Sequence, residues 1–540
     1  MQNPMSLSAN FAELRPDHLH SGVDFRTGGK EGEPVYAVAR GYIARIVVRA
    51  NGYGNALYVA HPNQTTSVYA HLQQFTPRVK EWVLAQHYAK QSFALDLALS
   101  PLDFPVEQGE LLGYSGNSGR SFGPHLHFEL RDNAERPTNV IRRGVYAIED
   151  YLPPQANTLM VYAFDTIQGS AIAAKRKELP LRQHAGRLSL AVGDTVGVEG
   201  ATFFGLDMRD RMSGSSNTFG VSSCAMRLND SLIFAYDMDK FSFDETRYCN
   251  AMLDFTERQR SNRSIVRLYV APNNRLSIYR SGLRQGVVSL PPGKVAKVGI
   301  VLTDDAGNQS QLTFWVRSKK TARQLPKTGR QKVVPYLTSS FHVHGGFHVS
   351  IPAGALYEPE LFEAQDLGKF NGSVSPVFRV KQPATPPHRA VTISLEATVP
   401  QDLCEKAVVV HMDKSGHKEA LATSPRPPYF TASCRKWGYF FVGIDTTPPQ
   451  ITPVDFACDE RLSSGQRHLT LRVKDNLNEL ASYAGYVDNS WALFEYDEKS
   501  NLMRYAIDDS RVVTGRWHSI SFFATDVAGN KGVFSCSAYF

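Results

Sequence analysis

No apolar run in the sequence approaches the ~20 residues that a helix needs to cross a bilayer, so a helical membrane span is excluded. No stretch alternates Lys and Arg with aromatics, and a formal charge of +7 is small for 540 residues, so nucleic acid is not an expected partner. Cysteine is sparse: Cys224, Cys249, Cys404, Cys434, Cys458 and Cys536 form no C-x-x-C pair, which argues against both a zinc ribbon and a redox motif. Their even number suggests three disulfides in an oxidising compartment, in chain order 224–249, 404–434 and 458–536. There is no H-E-x-x-H, so a zinc site carried on one helix is excluded. The start, MQNPMSLSANF, has no basic and apolar leader, as expected if a signal peptide has been removed or if the protein stays in the cytoplasm.

What is present is β texture. The length exceeds what one core supports and suggests three or four domains, and 40 Gly and 30 Pro spread through short segments favour turns and strands over long helices. From about 35 to 72, VYAVA, YIARIVV, ALYVAH and TTSVYAHL alternate with Gly-rich turns, the period-2 pattern of a meander. PRVKEWVLAQHYAKQ (77–91) instead spaces Val79, Trp82, Val83 and Ala89 for a short amphipathic helix inserted in the sheet. Residues 1–155 therefore read as one small, mostly antiparallel domain. Two later stretches echo each other: KVGIVLTDDAGNQSQLTFWV (297–316) and ISFFATDVAGNKGVFSCSAYF (520–540) are strand, T-D-x-A-G-N turn and returning strand, a hairpin that resembles the end of bacterial Ig-like sandwiches. IDTTPPQITP precedes the second as a stiff linker. The expected modules are 156–325 (Ig-like, with a helical insertion near FDETRYCNAMLDFTERQR), 326–445 (β, fold undefined) and 446–540 (Ig-like).

Chemistry-bearing residues concentrate in the first module, where His-Leu-His occurs twice, in HLHSGVDF from His18 and in GPHLHFEL from Gly123. His125 and His127 are two apart in a strand and share a face, with Leu126 on the core side and Gly-Pro and Glu-Leu-Arg as the strand's bounds. His20 and Asp24 lie four apart across Ser-Gly-Val, where Gly22 lets a loop bend so that both reach one ion. One histidine of the 125/127 pair completes a His-Asp-His set of three protein ligands, and the other is left for proton transfer. FHVHGGFH (341–348) reads as a solvated hairpin, because no carboxylate or thiol joins His342, His344 and His348. GYSGNSGRSFG lacks the Lys and the helix of a phosphate loop. His18 and His61 read as structural or exposed, Tyr53 and Asn55 as turn residues, and Arg15 and Glu129 as supporting groups.

FAELRPDHLHSGVD, GEPVYAVARGYI, NGYGNALYVAH, SVYAHL and VEQGELLGYSGNSGRSFGPHLHFE, in that order, resemble the lysostaphin-type (LytM-like) zinc endopeptidases over about a quarter of the chain. The resemblance implies His20, Asp24 and His127 as ligands of one zinc ion, and His71 and His125 as catalytic histidines that orient water, stabilise the oxyanion and pass a proton to the leaving amine. It also implies peptidoglycan as substrate and a periplasmic or cell-surface location. The segment 76–105 is inserted relative to the family pattern, so cleavage-site specificity is not carried over. Three alternatives remain open: a regulatory peptidase-like binding module, a zinc endopeptidase acting on proteins, and an intact site gated by the C-terminal β modules, in which case residues 1–155 alone are the more active form.

Overall fold

The computed structural model describes residues 6–167, 170–280, 284–320, 331–381, 385–477 and 480–540, and the boundary expected between 325 and 326 falls outside them. The chain is mainly β, with one α-helix longer than two turns among the described residues. In the first module an antiparallel sheet runs Leu7–Ala9, Val23–Arg26, His125–Arg131, Thr66–Ala70, Ala56–Ala60, Gly41–Val48, Leu95–Ala98. A second, three-stranded sheet (Pro34–Tyr36, Leu111–Ser115, Leu72–Phe75) packs beside it. The strand that carries the second His-Leu-His extends through Arg131, so Glu129–Arg131 lies within it and not beyond it as expected.

The inserted helix is Pro77–Lys90, with Pro at its first turn, where the missing N–H costs nothing, and Gln91 closing it in the left-handed region. Val79 and Val83 are buried as expected, but His87 takes the third buried position and Ala89 is exposed. The helix rolls far enough for His87 Nδ1 to meet the Ser92 carbonyl at 2.8 Å.

Beyond residue 155 a ten-stranded sheet holds the hairpin Val295–Thr303/Gln309–Lys320, and the expected helical piece is a 3-10 turn, Thr246–Met252, followed by the helix Phe255–Ser261. Residues 331–445 form a six-stranded and a five-stranded sheet around Phe347, Phe378, Phe430 and Phe440. The last module has a four-stranded and a five-stranded sheet, and its strand Trp517–Asp526 buries every second residue, as its alternation predicts.

The three-disulfide expectation is corrected. Cys458 and Cys536 are bonded, with Cα atoms 5.3 Å apart, whereas Cys224, Cys249, Cys404 and Cys434 are free and buried. Cys404 Sγ faces the Pro400 carbonyl of its own turn and Cys434 Sγ the Lys436 carbonyl, so each thiol is satisfied locally.

The first two modules have separate sheets but a single apolar core, which runs without a break from Leu7 to Val316 and includes the stacked pair Phe11 and Phe241, 5.3 Å apart. Cutting at residue 155 exposes that shared face. Residues 1–155 expressed alone should therefore lack the cooperative thermal transition of residues 1–325 when followed by circular dichroism; equally sharp, coincident melts would show that the first module needs no partner.

Candidate metal centre

The pairing of Val23–Arg26 with His125–Arg131 sets Asp24 directly opposite His127, and the next strand sets Ala70 on the other side of His127, with His71 just beyond it. Cross-strand neighbours of this kind have side chains about 5 Å apart at the Cβ, so register alone brings the carboxylate to the imidazole. Gly22 contributes by close approach and not by the expected bend: its φ is not left-handed, and a Cβ there would stand 2.2 Å from the Phe128 carbonyl oxygen. Only glycine lets the His20 segment lie flat against the second histidine strand.

Three donor atoms converge. His20 Nε2 is 3.0 Å from Asp24 Oδ1 and 3.0 Å from His127 Nδ1, and His127 Nδ1 is 2.9 Å from Asp24 Oδ1. Their outward nitrogens decide where the protons sit. His20 Nδ1 donates to the Asn10 carbonyl at 2.7 Å, and His127 Nε2 meets Glu129 Oε1 at 3.0 Å. Each ring thus holds a proton on the far side, so that its neutral form turns a lone pair toward the carboxylate oxygen. Three donor atoms facing one buried point fit a metal cation, which would take the place of the inward proton that the carboxylates otherwise favour on His127, and the mixed imidazole and carboxylate set suits zinc.

The surrounding charges agree. Burial opposes a proton on His127, yet Asp24 and Glu129 raise it to about 9. Burial would also raise Asp24, but His20 and His127 hold it well below the usual carboxylate range. Glu129, fully buried, is brought to about 2 against its desolvation by the Arg131 guanidinium and by His127. The environment draws in positive charge.

His125 and His71 line the open side, with ring centroids 4.8 Å apart. His125 Nδ1 points to the Gly123 carbonyl at 2.8 Å and lies 3.2 Å from Ser121 Oγ, leaving Nε2 3.6 Å from Asp24 Oδ1. His71 Nδ1 donates to the Ser118 carbonyl at 2.8 Å from a backbone at φ 59°, a conformation held by its N–H bond to the Tyr53 carbonyl. Burial drives His71 down to about 3, reinforced by His127 and His125, and burial lowers His125 too, so both rings are neutral with a free Nε2.

The structure brings together all five residues singled out from the sequence. His18 is exposed and its ring Nδ1 donates to the Pro16 carbonyl, while His61 is held between the Arg40 carbonyl and Ser67 Oγ, away from the centre. Arg15 reaches Asp24 Oδ2 at 3.7 Å. Tyr53 is more than a turn residue: its hydroxyl and that of Ser21 both donate to Glu129 Oε1 at 2.6 Å. His342 and His348 pair across the hairpin 341–348, and His344 sits in its turn.

Asn10 escaped sequence reasoning. Its carbonyl holds His20, while its side chain is fixed from the second module by Gly220 and Asp305 at 2.9–3.1 Å. No local pattern announces it, because its partners are some 210 to 295 residues away. Leu19 N–H, beside His20, likewise donates to Thr246 Oγ1 at 2.7 Å.

Residues 18–88 match peptidase family M23, and residues 331–445 match a Zu5-like domain. The chain carries an M23 peptidase domain. The family match contains His20, Asp24 and His71; the strand with His125 and His127 completes the constellation beyond it. The DD-carboxypeptidase/endopeptidase Mpg of Neisseria meningitidis is 35% identical over 123 residues, 23% of this chain and 22% of that protein. The peptidoglycan DD-endopeptidase ShyA of Vibrio cholerae is 29% identical over 161 residues, 30% and 28% of the respective chains. The chain thus spans less than a third of the length of these relatives. The lysostaphin catalytic domain of Staphylococcus simulans aligns with 26% of this chain and 93% of its own, at 20% identity and a TM-score of 0.20.

Two substitutions test the M23 centre without touching a ligand. Glu129→Gln, which frees His127 from a charged acceptor, and Asn10→Ala, which loosens the carbonyl behind His20, should each weaken zinc binding by roughly 10- to 100-fold in a chelator competition. Unchanged affinity in both would show that these groups do not set the ligand tautomers.

Proposed function

We propose that this protein is a zinc-dependent endopeptidase that hydrolyses peptide bonds in peptidoglycan, and that His20, Asp24 and His127 hold the ion. The observation that carries this reading is the convergence of three lone pairs beside two neutral imidazoles. The names of the Neisseria and Vibrio relatives support a DD cross-link as the bond cut. When bound, zinc polarises the scissile carbonyl and makes water acidic enough to attack near neutral pH. His125, with a free Nε2 next to Asp24, accepts the proton of the attacking water and returns it to the departing amine. His71 stands across the groove, its Nε2 turned from the Ser118 carbonyl, and orients the water and the amide. Peptidoglycan lies outside the inner membrane, so the protein works in the periplasm or at the cell surface, and the Cys458–Cys536 bond supports an oxidising compartment.

The test is a digest of purified sacculi with mass spectrometry of the released muropeptides. Cross-linked dimers should fall to monomers with the wild type, while His125→Ala and His71→Ala should each lose about 10²- to 10⁴-fold in rate yet retain zinc. Cleavage of protein substrates alone would favour the protein-directed endopeptidase, and zinc binding with no hydrolysis would favour a regulatory module.

One observation favours gating by the last module as a second reading. Lys499 donates to the Asn117 carbonyl, next to the Ser118 carbonyl that holds His71, while Arg511 stacks 3.6 Å over Tyr88 of the inserted helix and Trp491 meets the same ring. Releasing these contacts with the double variant Lys499→Ala/Arg511→Ala should speed sacculus digestion by roughly 5-fold, with hydrolysis of a short soluble peptide unchanged; equal rates on sacculi would leave the last module as a passive wall.

A further inference from the structure

Away from the M23 centre, three carboxylates with no cationic partner among the described residues meet where the first module joins the second. Asp150, Asp210 and Asp304 each offer an oxygen within 4.8 Å of the others, and all three are buried. Asp210 is 1% exposed and, among the described residues, neither of its carboxylate oxygens has a hydrogen-bond partner of normal geometry, the Arg211 backbone N–H being the one donor that bears on it; Oδ2 of Asp150 is likewise orphaned. The strongest side-chain charges acting on Asp210 come from Asp304, Asp150 and Asp305, all negative. Leaving such a group unpaired inside a protein is costly.

The same three elements carry aspartates one module later, in a more open setting, where Asp475 is half-buried and its Oδ2 accepts from the Leu477 N–H at 2.8 Å. Asp150 opens D-Y-L-P-P and Asp445 opens D-T-T-P-P. Asp210 follows the strand Thr202–Arg209, and Asp475 follows the strand His468–Lys474. Asp304 and Asp526 begin the two D-x-A-G-N turns, where both carboxylate oxygens are held by the asparagine, at 2.8 and 2.9 Å in the first and 2.8 Å twice in the second. That asparagine also donates to the backbone carbonyl of the linker aspartate, Asn308 to Asp150 at 3.0 Å and Asn530 to Asp445 at 2.9 Å. Asp445 Oδ2 and Asp475 Oδ1 are again orphaned, and Asp445 and Asp526 are the charges that bear on Asp475. At both junctions the linker aspartate leaves one oxygen unsatisfied, and the strand-end aspartate leaves two on Asp210 and one on Asp475.

We propose that both junctions are calcium sites: Asp150, Asp210 and Asp304 hold one ion, and Asp445, Asp475 and Asp526 hold another. The donors are oxygen only, which suits a hard cation, and no imidazole or thiol is present to favour zinc. Calcium accommodates an irregular carboxylate set completed by water, whereas magnesium demands near-octahedral geometry and sheds water reluctantly. Each ion would tie a Pro-Pro linker, a strand end and the closing hairpin, and so fix one module against the next. The first would stiffen the junction that also carries Asp305, the anchor of Asn10 behind His20.

The inference is independent of the peptidase reading and is tested on the full chain after chelator treatment. Calorimetric titration with calcium should show two ions per chain with affinities near the millimolar to sub-millimolar range of extracellular modules. Asp210→Asn and Asp475→Asn should each remove one ion, and the double variant both. Saturating calcium should raise the Tm of the wild type by about 5–10 °C, and each substitution should remove part of that rise. Because asparagine keeps the shape and relieves the repulsion, Asp210→Asn should melt no lower than the wild type without calcium. No binding at millimolar calcium, full stoichiometry retained by the double variant, equal binding of magnesium, or a lower Tm of calcium-free Asp210→Asn would each overturn the proposal.

Discussion

Everything at the candidate metal centre depends on where two protons sit. His20 and His127 can both face the Asp24 carboxylate at hydrogen-bonding distance only because their remaining nitrogens are engaged outward, one by a backbone carbonyl and the other by a buried glutamate. Were either ring to carry its proton inward, the point shared by the three donors would be an ordinary ion-pair network instead of a cation site. The positions of Asn10 and Glu129 therefore matter as much as those of the ligands themselves, and the 2.6 Å bonds from Tyr53 and Ser21 to Glu129 extend the same constraint one layer out.

That constraint explains why the first sheet is tied to the second module. Asn10 is held by Gly220 and Asp305, and Leu19 by Thr246, so the segment that presents His20 is clamped between its own sheet and the second module. The apolar core follows the same logic, with Phe11 stacked on Phe241 across the sheet boundary. The last module, in contrast, has its own core and disulfide and meets the first through the inserted helix and the turn at Asn117.

Much of this was legible in advance for a physical reason. Period-2 alternation and Gly-rich turns report strands wherever one face is buried, so the meander and both D-x-A-G-N hairpins could be read from the sequence. The inserted helix was legible too, but not its roll: spacing nominated Ala89, while packing chose His87, whose ring can fill the gap and still bond the Ser92 carbonyl. Cysteine parity misled, because a buried thiol that bonds a nearby carbonyl needs no second sulfur.

By itself the sequence determined which side chains were candidates to hold a metal, since two H-x-H pairs and an aspartate four residues after a histidine set imidazole and carboxylate donors close together in the first module. Only the tertiary structure decided their chemistry. Register put Asp24 against His127, Gly22 allowed the strands to touch, and partners some 210 to 295 residues away fixed the carbonyl behind His20. A tautomer is set by whatever lies on the far side of the ring, and in a sheet protein that neighbour belongs to another strand or another module, beyond the reach of local sequence.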